Sequence, residues 1–254
     1  MKKFTADFET STWIPNESFV WAWALCEIGN VENIELGNSI DTFMERIQKE
    51  ANPVILFHNL KFDGEFILYW LMKNGFTYTE KLERKSKTFS TLISDMGLFY
   101  QIEVYFEVGK KTKKVTFLDS LKIINQSVDQ IAKTFNLPES KLEIDYNEVR
   151  EIGHVLTEQE QEYIKHDVII VAKALEHLYS MGLTKMTAGS NALFEYKNIM
   201  SVQQFDKIYT KLTYEADKDL RQAYKGGFTY LNPIYEGVDV GCGEVLDVNS
   251  LYPS

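Results

Sequence analysis

Residues 53–58, PVILFH, run apolar through Phe57 over the length of one strand, with no polar alternation. A strand on a one-sided sheet alternates apolar and polar positions, whereas a strand buried on both faces does not. This run therefore needs cover above and below, which an α/β architecture supplies. A second segment agrees. TEQEQEYIKHDVIIVAKALEHLYSMG, residues 157–182, opens on a capping box of Thr157 and Glu160 and stops at Gly182. Its middle, VIIVA, is apolar around the whole helical circumference, so the helix is expected deep against a sheet.

The remaining elements fit around these two. KKFTADFE, FVWAWALCEI and VENIELG read as three short strands of an antiparallel meander. NSIDTFMERIQKEA places Ile40, Phe43, Met44 and Ile47 at helical spacing behind a Ser39 cap. DGEFILYWLMKNG gathers Phe66, Ile67, Trp70 and Leu71 on one side and ends in Asn-Gly, a helix stop. Residues 88–120 read as further strands with GKKTKK as a hairpin loop, and SVDQIAKTFNLP as a short amphipathic helix ended by Pro138. The pattern then shifts. Helical TKMTAGSNALFEYKNIM, Gly-rich YKGGFTYLNP and a last strand running into DVNS follow. The expected organisation is a complete α/β domain over residues 1–188 and an unfinished segment over 189–254.

A net charge of −10 argues against phosphate binding over the whole surface. Charge distribution decides, however, and two basic clusters, KLERKSK (81–87) and KKTKK (110–114), interrupt the acidic background. Taken alone, KKTKK reads as a solvated hairpin tip. The two cysteines, Cys26 and Cys242, are far apart and lack metal-ligand spacing, which argues against a disulfide framework or a zinc site and is compatible with a reducing cytoplasm. The start, MKKFTADFET, lacks the apolar core of a signal peptide, and the longest apolar run, FVWAWAL, is far too short to span a bilayer.

Four carboxylates stand out by position. Asp7 and Glu9 lie two apart on the first strand and so share a face. Asp63 falls where the buried strand has ended and the next helix begins, and Asp167 lies on the deep helix with Tyr163 one turn before it. Carboxylates aimed at one point repel, and burial raises the cost, unless something positive neutralises them. A pair of hard divalent cations such as Mg²⁺ resolves that conflict with oxygen ligands. Two metals about 3.5–4 Å apart suit phosphoryl transfer. Each local motif is weak alone, because a chain this acidic contains Asp-x-Glu pairs by chance. The agreement of order and element is the stronger signal.

DFET, HNLKFDGEF and YIKHD resemble, in order and approximate spacing, the three exonuclease motifs of the family B DNA polymerases. Together with LDSLK, KLEIDY, LTKMTAGS, YKGGFTYLN and DVNSLYPS, they resemble more narrowly the protein-primed polymerases of small tailed phages, from residue 4 to the last residue. The resemblance implies a ribonuclease-H-like mixed sheet, an antiparallel meander plus parallel strands flanked by helices, followed by an incomplete palm segment. It implies that Asp7, Glu9, Asp63 and Asp167 hold the two Mg²⁺ ions (Mn²⁺ could substitute) of a 3′→5′ proofreading exonuclease. Tyr163 matches the tyrosine that orients the attacking water, and Lys141 a lysine that assists catalysis. Thr10, His58, Asn59, Phe62, Ser120, Leu121 and Tyr146 match residues that hold a single-stranded 3′ end. Without the resemblance, Phe62 and Leu121 go to the core, His58 is a satisfied strand-end histidine, Lys141 a surface lysine, and Tyr163 a tyrosine packed at the sheet rim.

In the second segment, Tyr224, Gly226 and Gly227 match a Tyr-x-Gly-Gly motif that contacts DNA between exonuclease and polymerase domains. DVNSLYPS matches the first polymerase motif. Asp247 and the Val248 carbonyl would bind metal there, while Ser250, Leu251 and Tyr252 would lie along the incoming nucleotide. An Asp-Thr-Asp segment and a Lys-rich helix with Asn-Ser-x-Tyr-Gly, which polymerisation requires in this family, do not occur. The chain alone is therefore not expected to polymerise DNA. The implied partners are the single-stranded 3′ end, primer-template DNA and, through the full-length polymerase, a terminal protein primer, in the cytoplasm of the phage host and with no membrane. The rival readings are a free-standing exonuclease of the same fold, against which the palm-like tail counts, and a non-catalytic module that binds DNA or the terminal protein.

Overall fold

The computed structural model describes residues 2–13, 17–80, 85–109, 111–146, 148–223, 232–239 and 241–243. The first strand, β1 (Lys3–Thr10), pairs antiparallel with β2 (Val20–Glu27), and β2 with β3 (Asn30–Gly37), giving the expected meander. Helix α1 (Ile40–Ile47) is capped by the Ser39 hydroxyl and leads to β4 (Val54–Phe57), all four residues of which are buried. Strand β4 lies parallel to β1 on one side and to β8 (Lys111–Asp119) on the other. Between β4 and β8 run α2 (Leu60–Lys73), β5 (Thr77–Tyr78), β6 (Thr88–Ile93) and β7 (Phe99–Val108). The result is one eight-stranded mixed sheet in the order β3-β2-β1-β4-β8-β7-β6-β5, with a ribonuclease-H-like centre.

Both faces of the sheet are covered, as the unbroken apolar run requires. On one face, α1 and α2 pack over Phe4, Ala6 and Phe8 of β1 with Ile55 and Phe57 of β4. Phe8, Phe43 and Phe57 meet edge to face, with centroids 4.8–5.9 Å apart. On the other face, α3 (Val128–Thr134) and α4 (Glu158–Ser180) bury the second core. Thr157 and Glu160 form the expected reciprocal capping box, and Val168, Ile170, Val171 and Ala172 are buried.

Two expectations need correction. Helix α2 starts at Leu60, so Asp63 lies within its first turn. GKKTKK is not a loop of six residues: Val108 pairs with Lys111, which puts Lys111–Lys114 on β8. Two of its lysines are engaged by the fold: Lys113 Nζ donates to the Gln48 carbonyl at 2.6 Å and Lys114 pairs with Glu103. A two-residue connection satisfies more backbone groups than a long loop, and that outweighs the repulsion of neighbouring lysines.

The chain divides into two compact units, Met1–Ile199 and Met200–Ser254. The division falls one helix beyond residue 188, because α5 (Ala188–Met200) lies almost wholly in the first unit. Buried Asn191 on that helix accepts the Lys185 N–H at 2.8 Å. In the second unit, α6 (Val202–Ile208) is capped by Ser201 and is followed by α7 (Tyr214–Ala223) and a 3-10 turn, Pro233–Tyr235. The last strand expected near DVNS, and residues Tyr224, Gly226, Gly227, Asp247, Val248, Ser250, Leu251 and Tyr252, lie outside the described residues. Among the described residues, no helix is long and apolar enough to cross a membrane.

Candidate active site

Strand alternation decides which side chains of β1 reach the second core. Phe4, Ala6 and Phe8 point toward α1 and α2, so Thr5, Asp7 and Glu9 point toward α4. The Thr5 hydroxyl donates to the Val168 carbonyl at 2.9 Å and ties strand to helix beside Asp167. One carboxylate oxygen each from Asp7, Glu9 and Asp167 then lies within 4.8 Å of the others. Asp63 approaches from the first turn of α2, where its Oδ1 accepts the Phe8 N–H at 3.2 Å. It lines the same cavity but stands outside the trio. Gly64 beside it permits this approach, since a Cβ there would meet Phe99 and Ile102 at 3.3 Å.

The electrostatics follow from burial of like charges. Burial, reinforced by the Asp167 charge, raises the Asp7 carboxyl from 3.8 to about 7, although Lys141 opposes the shift. Glu9 and Asp63 are raised well above the usual carboxylate range, first by burial and then by Asp7. Asp167 is also raised by burial, with Lys141 opposing. Among the described residues, Lys141 is the cation paired with this cluster, 3.2 Å from Asp167 Oδ2, while buried Asp167 Oδ1 has no hydrogen-bond partner. One lysine does not balance four carboxylates. An oxygen-rich site with an unpartnered buried acceptor fits a hard divalent cation such as Mg²⁺.

Around the carboxylates a cavity of about 280 Å³ gathers eleven of the thirteen residues expected at the exonuclease site. Thr10, His58, Asn59 and Phe62 line it from the ends of β1 and β4 and the start of α2, and Lys141, Tyr146 and Tyr163 from the opposite side. The Tyr146 and Tyr163 hydroxyls are 2.6 Å apart. Tyr163 is buried, and burial together with the Glu9 charge keeps its hydroxyl protonated. Phe62 is 51% exposed and Tyr146 50% exposed, so neither belongs to the core. Ser120 and Leu121 are absent from the lining. Ser120 is fully buried beneath His58, with its Oγ 3.0 Å from His58 Nδ1. His58 Nε2 donates to the Gln126 carbonyl at 2.7 Å, the Ser120 hydroxyl also donates to the Phe57 carbonyl at 3.0 Å, and burial lowers the pKa of the ring.

Sequence reading missed two supporting residues. Buried Asp119, at the end of β8, accepts N–H groups from Asn59, Leu60 and Leu121 at 3.0–3.3 Å. It thereby caps α2, whose own N-cap residue, Asn59, has a left-handed backbone (φ 81°) and no side-chain cap. An aspartate directly after the apolar pair Phe117 and Leu118 at the end of β8 was the available signal. Arg150, only 2% exposed, left no such signal, because an arginine among acidic residues reads as solvated and the ring that covers it, Trp21, is distant in sequence.

Comparison with known proteins identifies the family and the fold. Residues 44–159 and 140–254 match the family described as DNA polymerase type B, organellar and viral. The DNA polymerase of Bacillus phage Nf is 45% identical over 254 residues, covering all of this chain and 44% of that protein. The DNA polymerase of Bacillus phage phi29 is 40% identical over the same coverage. The structure of phi29 DNA polymerase complexed with single-stranded DNA superposes with a TM-score of 0.81 at 38% identity, covering 91% of this chain and 41% of that one. The chain thus spans less than half the length of these relatives. On the family match and the shared fold, the chain belongs to the type B DNA polymerases, in the phage branch represented by Nf and phi29.

Proposed function

We propose that the chain is the N-terminal portion of a protein-primed phage DNA polymerase, and that its own chemistry is metal-dependent 3′→5′ hydrolysis of single-stranded DNA. The observation that carries this reading is the trio Asp7, Glu9 and Asp167, with oxygens within 4.8 Å, a buried oxygen without partner and too little positive charge nearby. With Asp63, these residues would hold two Mg²⁺ or Mn²⁺ ions. Such a pair, when bound, activates a water and offsets charge on the leaving oxygen of a phosphodiester.

The chain's own groups supply the rest. Lys141, whose pKa is raised by Asp167 against the lowering effect of burial, stays cationic and can answer charge building on the scissile phosphate. The Tyr163 hydroxyl, kept protonated, can orient a water, and its bond to Tyr146 fixes its direction. Phe62 and Tyr146 offer exposed ring faces on which unstacked bases can stack. Thr10 and Asn59 line the cavity where sugar and phosphate contacts are needed. Ser120 and Leu121 act from behind, through His58 and the start of α2.

The relatives extend the reading. Solved phi29 polymerase structures hold single-stranded DNA in one case, and primer-template DNA with incoming nucleotide in another. We assign the same DNA partners to the protein this chain represents, with a terminal protein as primer and the host cytoplasm as its setting. There, Tyr224, Gly226 and Gly227 would contact DNA. Asp247 and Val248 would contribute to the polymerase metal site, and Ser250, Leu251 and Tyr252 to the nucleotide site.

The decisive experiment incubates the chain with a 5′-labelled single-stranded oligonucleotide. Mg²⁺ should support stepwise shortening from the 3′ end, EDTA should stop it, and Asp7→Ala with Glu9→Ala should reduce the rate by about 10³-fold or more. Undiminished shortening by the double variant would remove the site assignment. Binding without shortening by the wild type would favour the non-catalytic module.

A further inference from the structure

Strands β1 and β2 lose register between Glu9 and Thr10: Glu9 faces Ala22, Thr10 faces Val20, and Trp21 is the extra residue. A bulge turns two successive side chains to one face. Trp21 and Ala22 accordingly both join the core on the α4 side. The Trp21 ring there lies 4.6 Å from the guanidinium carbon of Arg150, a cation stacked on an aromatic face.

Arg150 uses its planar fork in three directions. Nε donates to Glu160 in the first turn of α4, one turn before Tyr163. Nη1 donates to the carbonyls of Asp145 at 2.8 Å and Glu148 at 3.1 Å, and Nη2 to the Glu148 carboxylate at 2.8 Å. These acceptors flank Tyr146 in sequence, and Asp145, Tyr146 and Glu148 belong to no helix or strand. Tyr146 is anchored from its other side by Thr12, which donates to the Tyr146 carbonyl at 2.8 Å just beyond β1. One buried side chain thus joins the bulge opposite Glu9, the turn bearing Tyr163 and the loop bearing Tyr146.

We propose that Arg150 is a positioning residue for the nuclease reaction: by holding Asp145 and Glu148, on either side of Tyr146 in sequence, while it packs on Trp21 and pairs with Glu160, it holds the Tyr146 hydroxyl against Tyr163 and so fixes the water-orienting tyrosine. The assignment rests on the nuclease reading above. A lysine at this position keeps the charge beside Glu160 but lacks the fork that reaches two carbonyls at once. The effect on rate is therefore separable from the effect on folding.

The test is a double-mutant cycle in the full chain with a labelled single-stranded oligonucleotide and Mg²⁺. Arg150→Lys should melt cooperatively near the wild-type temperature yet lose roughly 10- to 100-fold in kcat. Tyr146→Phe should lose a similar factor, and the two together should lose little more than either alone. A second variant, Arg150→Gln with Glu160→Gln, removes the fork without leaving a buried unpaired charge and should show the same kcat loss. Losses that multiply in the cycle, or a wild-type kcat in either Arg150 variant that folds, would overturn the assignment while leaving the nuclease reading intact. A wild-type chain that never shortens the oligonucleotide would overturn both.

Discussion

Helix α4 carries two buried carboxylates about two turns apart, and their surroundings are opposite in kind. Glu160 is fully partnered: Oε1 accepts from Arg150, and Oε2 from the Thr157 N–H at 2.8 Å and from His154 at 2.9 Å. Burial would raise its pKa, but these donors, Arg150 foremost, hold it at about 2. Asp167 has one lysine on Oδ2, nothing on Oδ1, and two further acids facing it. The fold answers the first charge from within and leaves the second group unanswered. A buried charge satisfied by its own chain is architecture, and a cluster left short of positive charge is a place for something from outside.

The contrast can be broken most sharply by truncation. Glu160→Ala leaves the Arg150 guanidinium buried without its main counter-charge and should cost about 3–5 kcal/mol of stability. Asp167→Ala in the metal-free chain relieves repulsion and should leave the melting temperature unchanged or higher. Calorimetry on both variants reads the difference directly, and equal losses would erase the distinction.

Acidity tests the same contrast with opposite signs. A carboxyl whose pKa falls from 4.5 to about 2 on folding contributes stability that is present above pH 4.5 and lost as pH drops toward 2, on the order of 3 kcal/mol for Glu160. Asp7, raised from 3.8 to about 7, favours its protonated form in the folded chain. Its contribution is complete below pH 3.8 and is lost as pH climbs through 7. Urea denaturation of the metal-free chain should therefore give a stability that declines on both the acid and the neutral side. A rise from pH 5 to 8 would contradict the carboxylate assignment.

Magnesium should give the smallest of these effects. At 100 times its dissociation constant, a ligand bound only by the folded chain adds about 2.7 kcal/mol. The increment should be larger at pH 8 than at pH 5, because protons compete for the same oxygens. It should disappear in the Asp7→Ala, Glu9→Ala double variant. A Glu160→Ala chain that still folds should keep it.

Features governed by local periodicity were legible from the sequence. PVILFH demanded two covered faces, VIIVA demanded a deep helix, and a two-residue spacing put Asp7 and Glu9 on one side of a strand. The acidic cluster was legible because carboxylates stand at strand and helix ends in an order that the family resemblance also carries. The exposure of Phe62 was not visible in composition, since an aromatic residue beside a helix start reads as core until its surroundings exist. The Arg150 clamp depends on Trp21, Glu148 and Glu160, three residues spread over most of the first unit, and on a bulge that no alternation pattern announces. The hairpin at Lys111–Lys114 was misread because charge suggested solvent, while backbone pairing and two lysine contacts decided the outcome.

The alternation along β1 also acts as a parity check on the gene. Odd-numbered positions from Thr5 to Glu9 face α4 and the acidic cluster, and even-numbered ones from Phe4 to Phe8 carry the hydrophobic layer. Losing or gaining one residue within the strand would exchange the two sets, sending phenylalanines into the acidic cavity and carboxylates into the Phe43–Phe57 layer. Two such changes would restore the faces, though not the end of the strand. The count of residues in β1 therefore carries information that no single side chain holds, and it leaves this strand far less free to change length than to change its apolar residues one for another.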